Sequence, residues 1–355
     1  MSVDLKNYVC SLPFSNVELH KGSSFMCCPS WLTKRLPDNA KLNTIWNSDE
    51  AKDIRKSIID GSYKYCDRGE CPHLSQLLNV SDKSDIGPIV PKKSNPEFLK
   101  TYNYETGELG TNPEWIQFSF DRSCNYKCPS CRVGLFVAGT KEMKEIDATI
   151  EEIEETFSND VKVIYITGTG DPFASGSFRN FLRNFNPKKY PKLNQIHLHT
   201  NASLWTKEMW DSMPNIHPYV KTCEISIDAG TKETYETKTR LGGNWDTLIE
   251  NLKFISTIPK LTYVKTSFVI QSHNYMEMET FVNLIKGIFG KKGKIYFGKI
   301  LNWGHLTEGE YQLLKVWDEN HPEHNQYLKE FDKVWRNPQV YHNAHQYVDF
   351  KKNLI

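Results

Sequence analysis

The sequence predicts an α/β protein in which short strands alternate with helices. Three observations carry that prediction. Six runs rich in β-branched and aromatic residues recur between Trp115 and Phe297. Segments between them place apolar residues three and four apart, the spacing of one helix face. Each strand run ends in small and polar residues suited to a turn. Strands that alternate with helices form a parallel sheet, because a parallel connection needs a crossover. Six βα units are fewer than the eight of a closed barrel, so a partial barrel or a doubly wound sheet is expected.

In chain order, the first strand is Trp115–Phe120, and Met143, Ile146, Ile150, Ile153 and Phe157 then share one helix face. The second strand, Val161–Ile166, runs into Thr-Gly-Thr-Gly. Gln195–Thr200, Thr222–Asp228, Val264–Ile270 and Lys294–Phe297 follow as the third to sixth. Asn244 is placed to cap a helix burying Trp245, Leu248, Ile249, Leu252 and Ile255, and Asn274 with Glu277 resembles a capping box. Ser84 to Pro113, punctuated by Pro88, Pro91, Pro96, Gly107 and Gly110, reads as a connector. The expected division is therefore a Cys-rich module over 1–95, a βα body over 96–304 and a helical tail over 305–355.

Composition narrows the function classes. The chain of 355 residues balances 44 basic against 43 acidic side chains, a net +1 that gives no footprint for nonspecific nucleic-acid or membrane binding. No apolar run approaches the roughly 18 residues of a bilayer span. The opening MSVDLKNYVC lacks the apolar core of a secretory signal, so a cytoplasmic location is expected. Nine cysteines stand out, eight of them within the first 131 residues. An odd number in tight local spacings points to metal or redox chemistry and away from a disulfide framework.

Cys124-Asn-Tyr-Lys-Cys128-Pro-Ser-Cys131 directly follows the first strand. In a βα barrel that is the end where ligands bind. Three thiolates in one loop can hold three corners of an iron–sulfur cube and leave one iron open. They can equally form a zinc knuckle that borrows a fourth ligand, such as Cys223 or a histidine. Further polar segments close the later strands: Thr167-Gly168-Thr169-Gly170-Asp171-Pro172, His199-Thr200-Asn201, and Ser226-Ile227-Asp228-Ala229-Gly230. Arg240-Leu-Gly-Gly comes next, and Gln271 and Asn274 follow the fifth strand.

In this order, over about residues 115 to 300, these segments closely resemble the signature of the radical S-adenosylmethionine (radical SAM) superfamily. The resemblance implies a partial (β/α)6 TIM-like barrel with a [4Fe–4S] cluster on Cys124, Cys128 and Cys131. It also implies S-adenosylmethionine held by Gly168, Thr169, Gly170, Asp171, Thr200, Asn201, Ser226, Asp228, Arg240, Gln271 and Asn274. Asp171 would face the cofactor's ammonium, Arg240 its carboxylate, and Gln271 and Asn274 its ribose. An electron from a flavodoxin- or ferredoxin-like donor would cleave the cofactor to a 5′-deoxyadenosyl radical that takes a substrate hydrogen. One departure is Ser130, where the family often has an aromatic residue against the adenine; Phe136 or Tyr126 would have to serve instead.

The earlier cysteines have their own pattern: Cys10, Gly22-x4-Cys27-Cys28, Ile45-Trp46-Asn47-Ser48, Arg55, Gly61 and Cys66-x4-Cys71. It resembles the SPASM/twitch auxiliary module of radical SAM enzymes, placed here before the barrel. That resemblance implies a second, closed [4Fe–4S] cluster on Cys10, Cys27, Cys66 and Cys71, with Cys28 and Cys223 as packing residues. On spacing alone a zinc ribbon-like fold stays open. His197 and His199 share a strand face and either bind a metal or line a cavity. Tyr296, Lys299, Asn302 and Trp303 follow the sixth strand as substrate-side candidates or packing residues. The expected substrate is a peptide or protein undergoing cross-linking, epimerisation or oxidation. Dehydrogenation of a sugar, aminocyclitol or nucleotide-linked small molecule is the alternative. A non-catalytic zinc or electron-transfer protein is the alternative of another class.

Overall fold

The structure, a computed structural model, describes residues 3–79 and 86–348; Ser84 and Asp85 of the expected connector, and residues 349–355 of the tail, lie outside the described residues. The strands are β1 (Tyr8–Cys10), β2 (Asn16–His20), β3 (Ser23–Phe25), β4 (Ile89–Pro91), β5 (Trp115–Ser119), β6 (Val163–Ile166), β7 (Gln195–Thr200), β8 (Val220–Ser226), β9 (Tyr263–Ile270), β10 (Gly293–Lys299) and β11 (Val340–His342). β5 to β10 are the six strands expected from the sequence, each within three residues at either end. No helix among the described residues is long and apolar enough to cross a membrane.

The chain folds as two compact units. The first gathers Met1–Asp121, Gly139–Thr169 and Asn186–Ile196. Here β5 lies between β2 and β6, parallel to both, and β3 pairs antiparallel with β2. Val17 opposes Ile116, Leu19 opposes Phe118, and Phe118 opposes Ile166, forming one buried apolar face. Strand alternation sends Glu18, His20, Gln117 and Ser119 to the other face. Asn16–His20 was not anticipated as a strand, because five residues carry too little pattern to separate strand from turn. Its pairing puts N-terminal residues in one sheet with β5, so the compact units do not divide at 95. β1 and β4 form a separate antiparallel pair.

The second unit gathers Arg122–Ala138, Gly170–Phe185 and His197–Ile355. Its strands run β11-β10-β9-β8-β7, with β8, β9, β10 and β11 mutually parallel. The region after 305 holds the helices Glu308–Leu314 and His324–Asp332 and also β11, so it is not the purely helical tail expected. Val340 and Tyr341 suit the pleated edge that β10 offers.

Helix starts show where local reading worked and where tertiary contacts overrode it. The Asn244 side chain accepts from Thr247 N at 2.8 Å, as its cap position requires, and the helix buries Leu248, Leu252 and Ile255. Trp245 and Ile249 are only half-buried. Asn274 and Glu277 do not form a capping box. Glu277 instead accepts from Gly230 N (2.7 Å) and Thr231 N (3.1 Å), satisfying the backbone that leads into another helix.

Trp46, Asn47 and Arg55, singled out in the sequence, form one knot in the first unit. Arg55 is fully buried, donates to Pro13 O (2.9 Å), Trp46 O (2.7 Å) and Asn47 Oδ1 (2.9 Å), and lies over the Trp46 ring at 4.5 Å. Asn47 in turn exchanges two 3.0 Å bonds with Leu109, and Trp46 Nε1 donates to Thr111 O at 2.6 Å. No carboxylate pairs with Arg55 among the described residues, and burial pulls its pKa down to about 9. Arg55→Met strands two carbonyls and removes one of the two donors to Asn47 Oδ1, so urea unfolding should show a loss of about 3 kcal/mol. Arg55→Lys should recover little, because an ammonium cannot spread three bonds in one plane.

Candidate active site

The three-cysteine loop belongs to the second unit. Cys124 N donates to Phe136 O (2.9 Å), which closes the loop, and Ala138 N donates to Ser123 Oγ (2.9 Å). Cys131 N and Arg132 N both donate to Cys128 O, which folds the last two cysteines into one tight turn. Cys124 and Cys128 are buried, while Cys131 is exposed. Each sulfur has a donor beside it. Asn201 Nδ2 stands 3.8 Å from Cys124 Sγ, Arg240 Nη1 stands 3.6 Å from Cys128 Sγ, and the Arg132 guanidinium lies against Cys131. Burial pushes the Cys124 thiol up to about 11, with Asp171 adding to the effect. Burial also raises Cys128, and Arg240 opposes it. Soft thiolate ligands with an N–H donor at each sulfur suit an iron–sulfur cluster, whose positive irons would displace the thiol protons.

Asp171 organises the loops around these cysteines. Its Oδ2 accepts from Thr200 Oγ1 (2.7 Å) and Asn201 N (2.8 Å), and its Oδ1 from Phe173 N (2.9 Å) and Ala174 N (3.3 Å). Its own N–H donates to Ser123 O at 2.8 Å. The carboxylate that the sequence assigned to the cofactor ammonium is thus bonded four times within the chain. Asn201, held by Asp171, is the residue that reaches Cys124.

A second group surrounds Cys128. Asp228, at φ +59°, accepts from Val269 N (2.8 Å) and pairs with Arg240 Nη2 (2.6 Å). Asn274 Nδ2 donates to Asp228 O (2.9 Å) and Val269 O (2.8 Å). Gln271 is buried beside it, its backbone N–H given to Asn274 Oδ1 (2.9 Å), and its side-chain Nε2 has no partner among the described residues. An unpaired buried amide is what a missing polar ligand leaves behind. Gly170 lies in this unit, whereas Gly168 and Thr169 belong to the first. There Thr169 Oγ1 donates to Ser119 O (2.7 Å), and a Cβ on Gly168 would stand 3.1 Å from Gln117 Nε2. Of the rings proposed for the adenine, Tyr126 is buried with its hydroxyl 3.1 Å from that of Tyr235, and Phe136 is exposed.

The substrate-side candidates have different surroundings. Lys299 Nζ lies over the Trp317 ring at 5.2 Å, Trp303 is exposed, and Tyr296 faces Lys265 Nζ at 4.5 Å. Tyr296 belongs to a polar strand face that sequence reasoning only half found. His197 Nδ1 meets Thr222 Oγ1 (2.6 Å), His199 Nε2 meets Ser226 Oγ (3.0 Å), and Glu224 pairs with Lys265 (3.0 Å) and Ser267. Burial works against its charge, but the Lys265 ion pair and the Ser267 hydrogen bond hold Glu224 well below the carboxylate range. Burial pushes His197 down to about 3 and lowers His199, so both imidazoles are neutral. The available signal was polar residues at every second position of strands whose alternate residues, Leu198, Ile225, Phe268 and Phe297, are fully buried.

In the first unit, Cys10 ends β1, Cys66 N donates to Tyr63 O, and Cys71 leads the helix Pro72–Asn79. Burial raises the Cys27 thiol, and Cys10, Cys71, Cys28 and Cys66 each raise it further. Cys10 is raised likewise by burial, then by Cys71 and Cys66. Cys28 is pushed to about 11 by burial and by Glu18, and the Ser30 backbone and hydroxyl oppose this. Among the described residues, no three His, Cys, Asp or Glu side chains gather where a single metal ion could sit. A four-iron cube makes a different demand, since its thiolates bind separate irons.

The family model of the Radical SAM superfamily matches residues 118–285 and supports that superfamily for this segment. No curated protein matches the chain. Among solved structures, Streptococcus suis SuiB bound to S-adenosylmethionine is similar, with 15% identity and a TM-score of 0.43 over 82% of this chain and 60% of that one. The chain thus spans about 60% of the length of that SuiB chain. SuiB bound to its precursor peptide SuiA is 14% identical, with a TM-score of 0.44 over 96% of this chain and 72% of that one. A histidine-tagged anSMEcpe with bound AdoMet is 16% identical, with a TM-score of 0.45 over 62% of this chain and 59% of that one.

Two outcomes test this site. Asp171→Asn turns one acceptor into a donor facing donors, so the urea midpoint should fall by the equivalent of about 2 kcal/mol. Iron retained by the chain after anaerobic reconstitution and desalting should drop with it. Glu224 is depressed in the folded state, so its stabilisation is complete above the ordinary value of 4.5 and fades as pH falls towards the folded value. Unfolding free energy should therefore decline from pH 6 to about pH 3 more steeply in the parent protein than in Glu224→Gln.

Proposed function

We propose that this chain is a radical SAM enzyme. Cys124, Cys128 and Cys131 would hold a [4Fe–4S] cluster, and the remaining iron would take S-adenosylmethionine. When bound and reduced, that pair supplies a 5′-deoxyadenosyl radical able to remove hydrogen from an unactivated carbon. The observation that carries the reading is the trio of sulfurs in one loop, each beside an N–H donor, with the unpartnered Gln271 amide in the same unit.

The chain's own residues bind and orient. Gly170 would let backbone come close to the cofactor. Asp171 holds Thr200 and Asn201 in place, while Asp228 sets the Arg240 guanidinium between itself and Cys128. Arg240 keeps further N–H donors for a carboxylate. Ser226, Gln271 and Asn274 would complete the polar wall. Tyr296, Lys299 and Trp303 remain the substrate-side candidates.

The N-terminal cysteines extend the proposal. Cys10, Cys27, Cys66 and Cys71 would carry an auxiliary [4Fe–4S] cluster that accepts an electron from the substrate radical. That Cys10, Cys71 and Cys66, with Cys28 as well, all act on the buried Cys27 thiol supports a gathering of cysteines there. Residues 1–95 would be that SPASM/twitch-like module, 96–304 the catalytic portion and 305–355 its tail. A flavodoxin- or ferredoxin-like cytoplasmic donor would supply electrons. The assigned substrate is a peptide or protein, on the resemblance of the N-terminal cysteines. A small polyhydroxylated substrate is the second reading, favoured by the polar, hydroxyl-rich face of His197, Thr222, Ser226, Ser267 and Tyr296.

Anaerobic reconstitution should yield about eight irons and eight sulfides per chain, with dithionite-dependent formation of 5′-deoxyadenosine. Two zincs and no turnover of S-adenosylmethionine would overturn the reading. Cys124→Ala should abolish 5′-deoxyadenosine while retaining about four irons. Cys66→Ala should keep the cleavage and lose the other cluster.

A further inference from the structure

The N-terminal site holds one polar group that its cysteines leave unexplained. Tyr63 lies three residues before Cys66 and only 1% of its surface is exposed. Its φ is +47°, a left-handed conformation that a bulky residue adopts only when its surroundings impose it. The hydroxyl is buried without a hydrogen-bond partner among the described residues. Leaving a buried O–H unpaired costs about 1–3 kcal/mol, a cost that phenylalanine in the same space would avoid.

The surroundings of that hydroxyl are specific. Cys10, Cys66 and Cys71 are the charged-when-ionised groups that act on it, and the Cys10 backbone N–H also bears on its oxygen. A backbone N–H can only give to the oxygen. The hydroxyl proton is therefore left without an acceptor among the described residues, near the thiols of Cys10, Cys66 and Cys71. Sulfide and thiolate sulfurs of an iron–sulfur cluster are acceptors that could take that proton.

We propose that Tyr63 is a positioning residue that donates its hydroxyl hydrogen bond to a sulfur of the cluster held by Cys10, Cys27, Cys66 and Cys71. The inference rests on the reading of those four cysteines as a [4Fe–4S] site. A donor at a cluster sulfur favours the reduced, more electron-rich state and so raises the reduction potential. Tyr63 thereby sets how readily the auxiliary cluster accepts an electron, which a residue that merely filled space would not do.

The test uses the full chain, reconstituted anaerobically, in a Cys124→Ala background so that only the N-terminal cluster is titrated. Reductive titration followed by electron paramagnetic resonance should show Tyr63→Phe at a more negative midpoint with its iron content unchanged. Placing 3-fluorotyrosine at position 63 keeps the shape and strengthens the donor, so its midpoint should rise; this arm decides if Tyr63→Phe does not fold. A midpoint that moves in neither variant, with the cluster intact, overturns the role of Tyr63 and leaves the cluster reading standing. Loss of all iron in the Cys124→Ala protein before Tyr63 is touched overturns the cluster reading, and this inference with it.

Discussion

A single buried carboxylate carries the organisation of the candidate site. Asp171 takes hydrogen bonds on both oxygens from the segment that follows it and from Thr200 and Asn201, while its own N–H holds the Ser123 carbonyl. A carboxylate out of water must be fully bonded or protonated, so these loops can take only arrangements that deliver their donors to it. Cys124 and Asn201 meet as a consequence. The position of the first sulfur is thus decided by a residue far from it in sequence.

The same economy of buried charge runs through the rest of the molecule. Asp228 and Arg240 neutralise each other next to Cys128, and Glu224 and Lys265 do so on the polar strand face. Arg55 has no counter-charge among the described residues and relies on oxygen acceptors and the Trp46 ring. In each case a buried ion is retained with geometry that a hydrophobic residue could not supply, and each ties together segments distant in sequence. The tie in the first unit shapes the N-terminal region; those in the second shape the surroundings of the cysteine loop.

Much of this was legible beforehand, and the failures have physical causes. The six principal strands were visible because parallel strands covered by helices are dense in β-branched and aromatic residues. β2 and β11 were missed, since runs of five and three residues show no period, and only a partner strand makes them strands. Asn274 and Glu277 have the spacing of a capping box, yet Glu277 serves the backbone at Gly230 and Thr231, a competition that no local window contains. Asp171 was recognised as important, but its four donors within the chain were out of reach, because they come partly from Thr200 and Asn201, about thirty residues on. Glu224, Lys265 and Ser267 went unremarked for a similar reason: their pairing exists only across neighbouring strands.

The sequence by itself determined the α/β class, the order of the six strands and the two sets of cysteines. These follow from composition and short-range spacing, which act before any long-range contact forms. Only the tertiary structure decided which side chains are bonded to which. It committed Asp171 to its own loops, set Arg240 between Asp228 and Cys128, placed Cys28 under the influence of Glu18, and left Gln271 and Tyr63 with buried groups unpaired among the described residues. The reason is that burial makes an unpaired polar group costly, and the partners that satisfy it are chosen by the approach of distant segments as well as by neighbours along the chain.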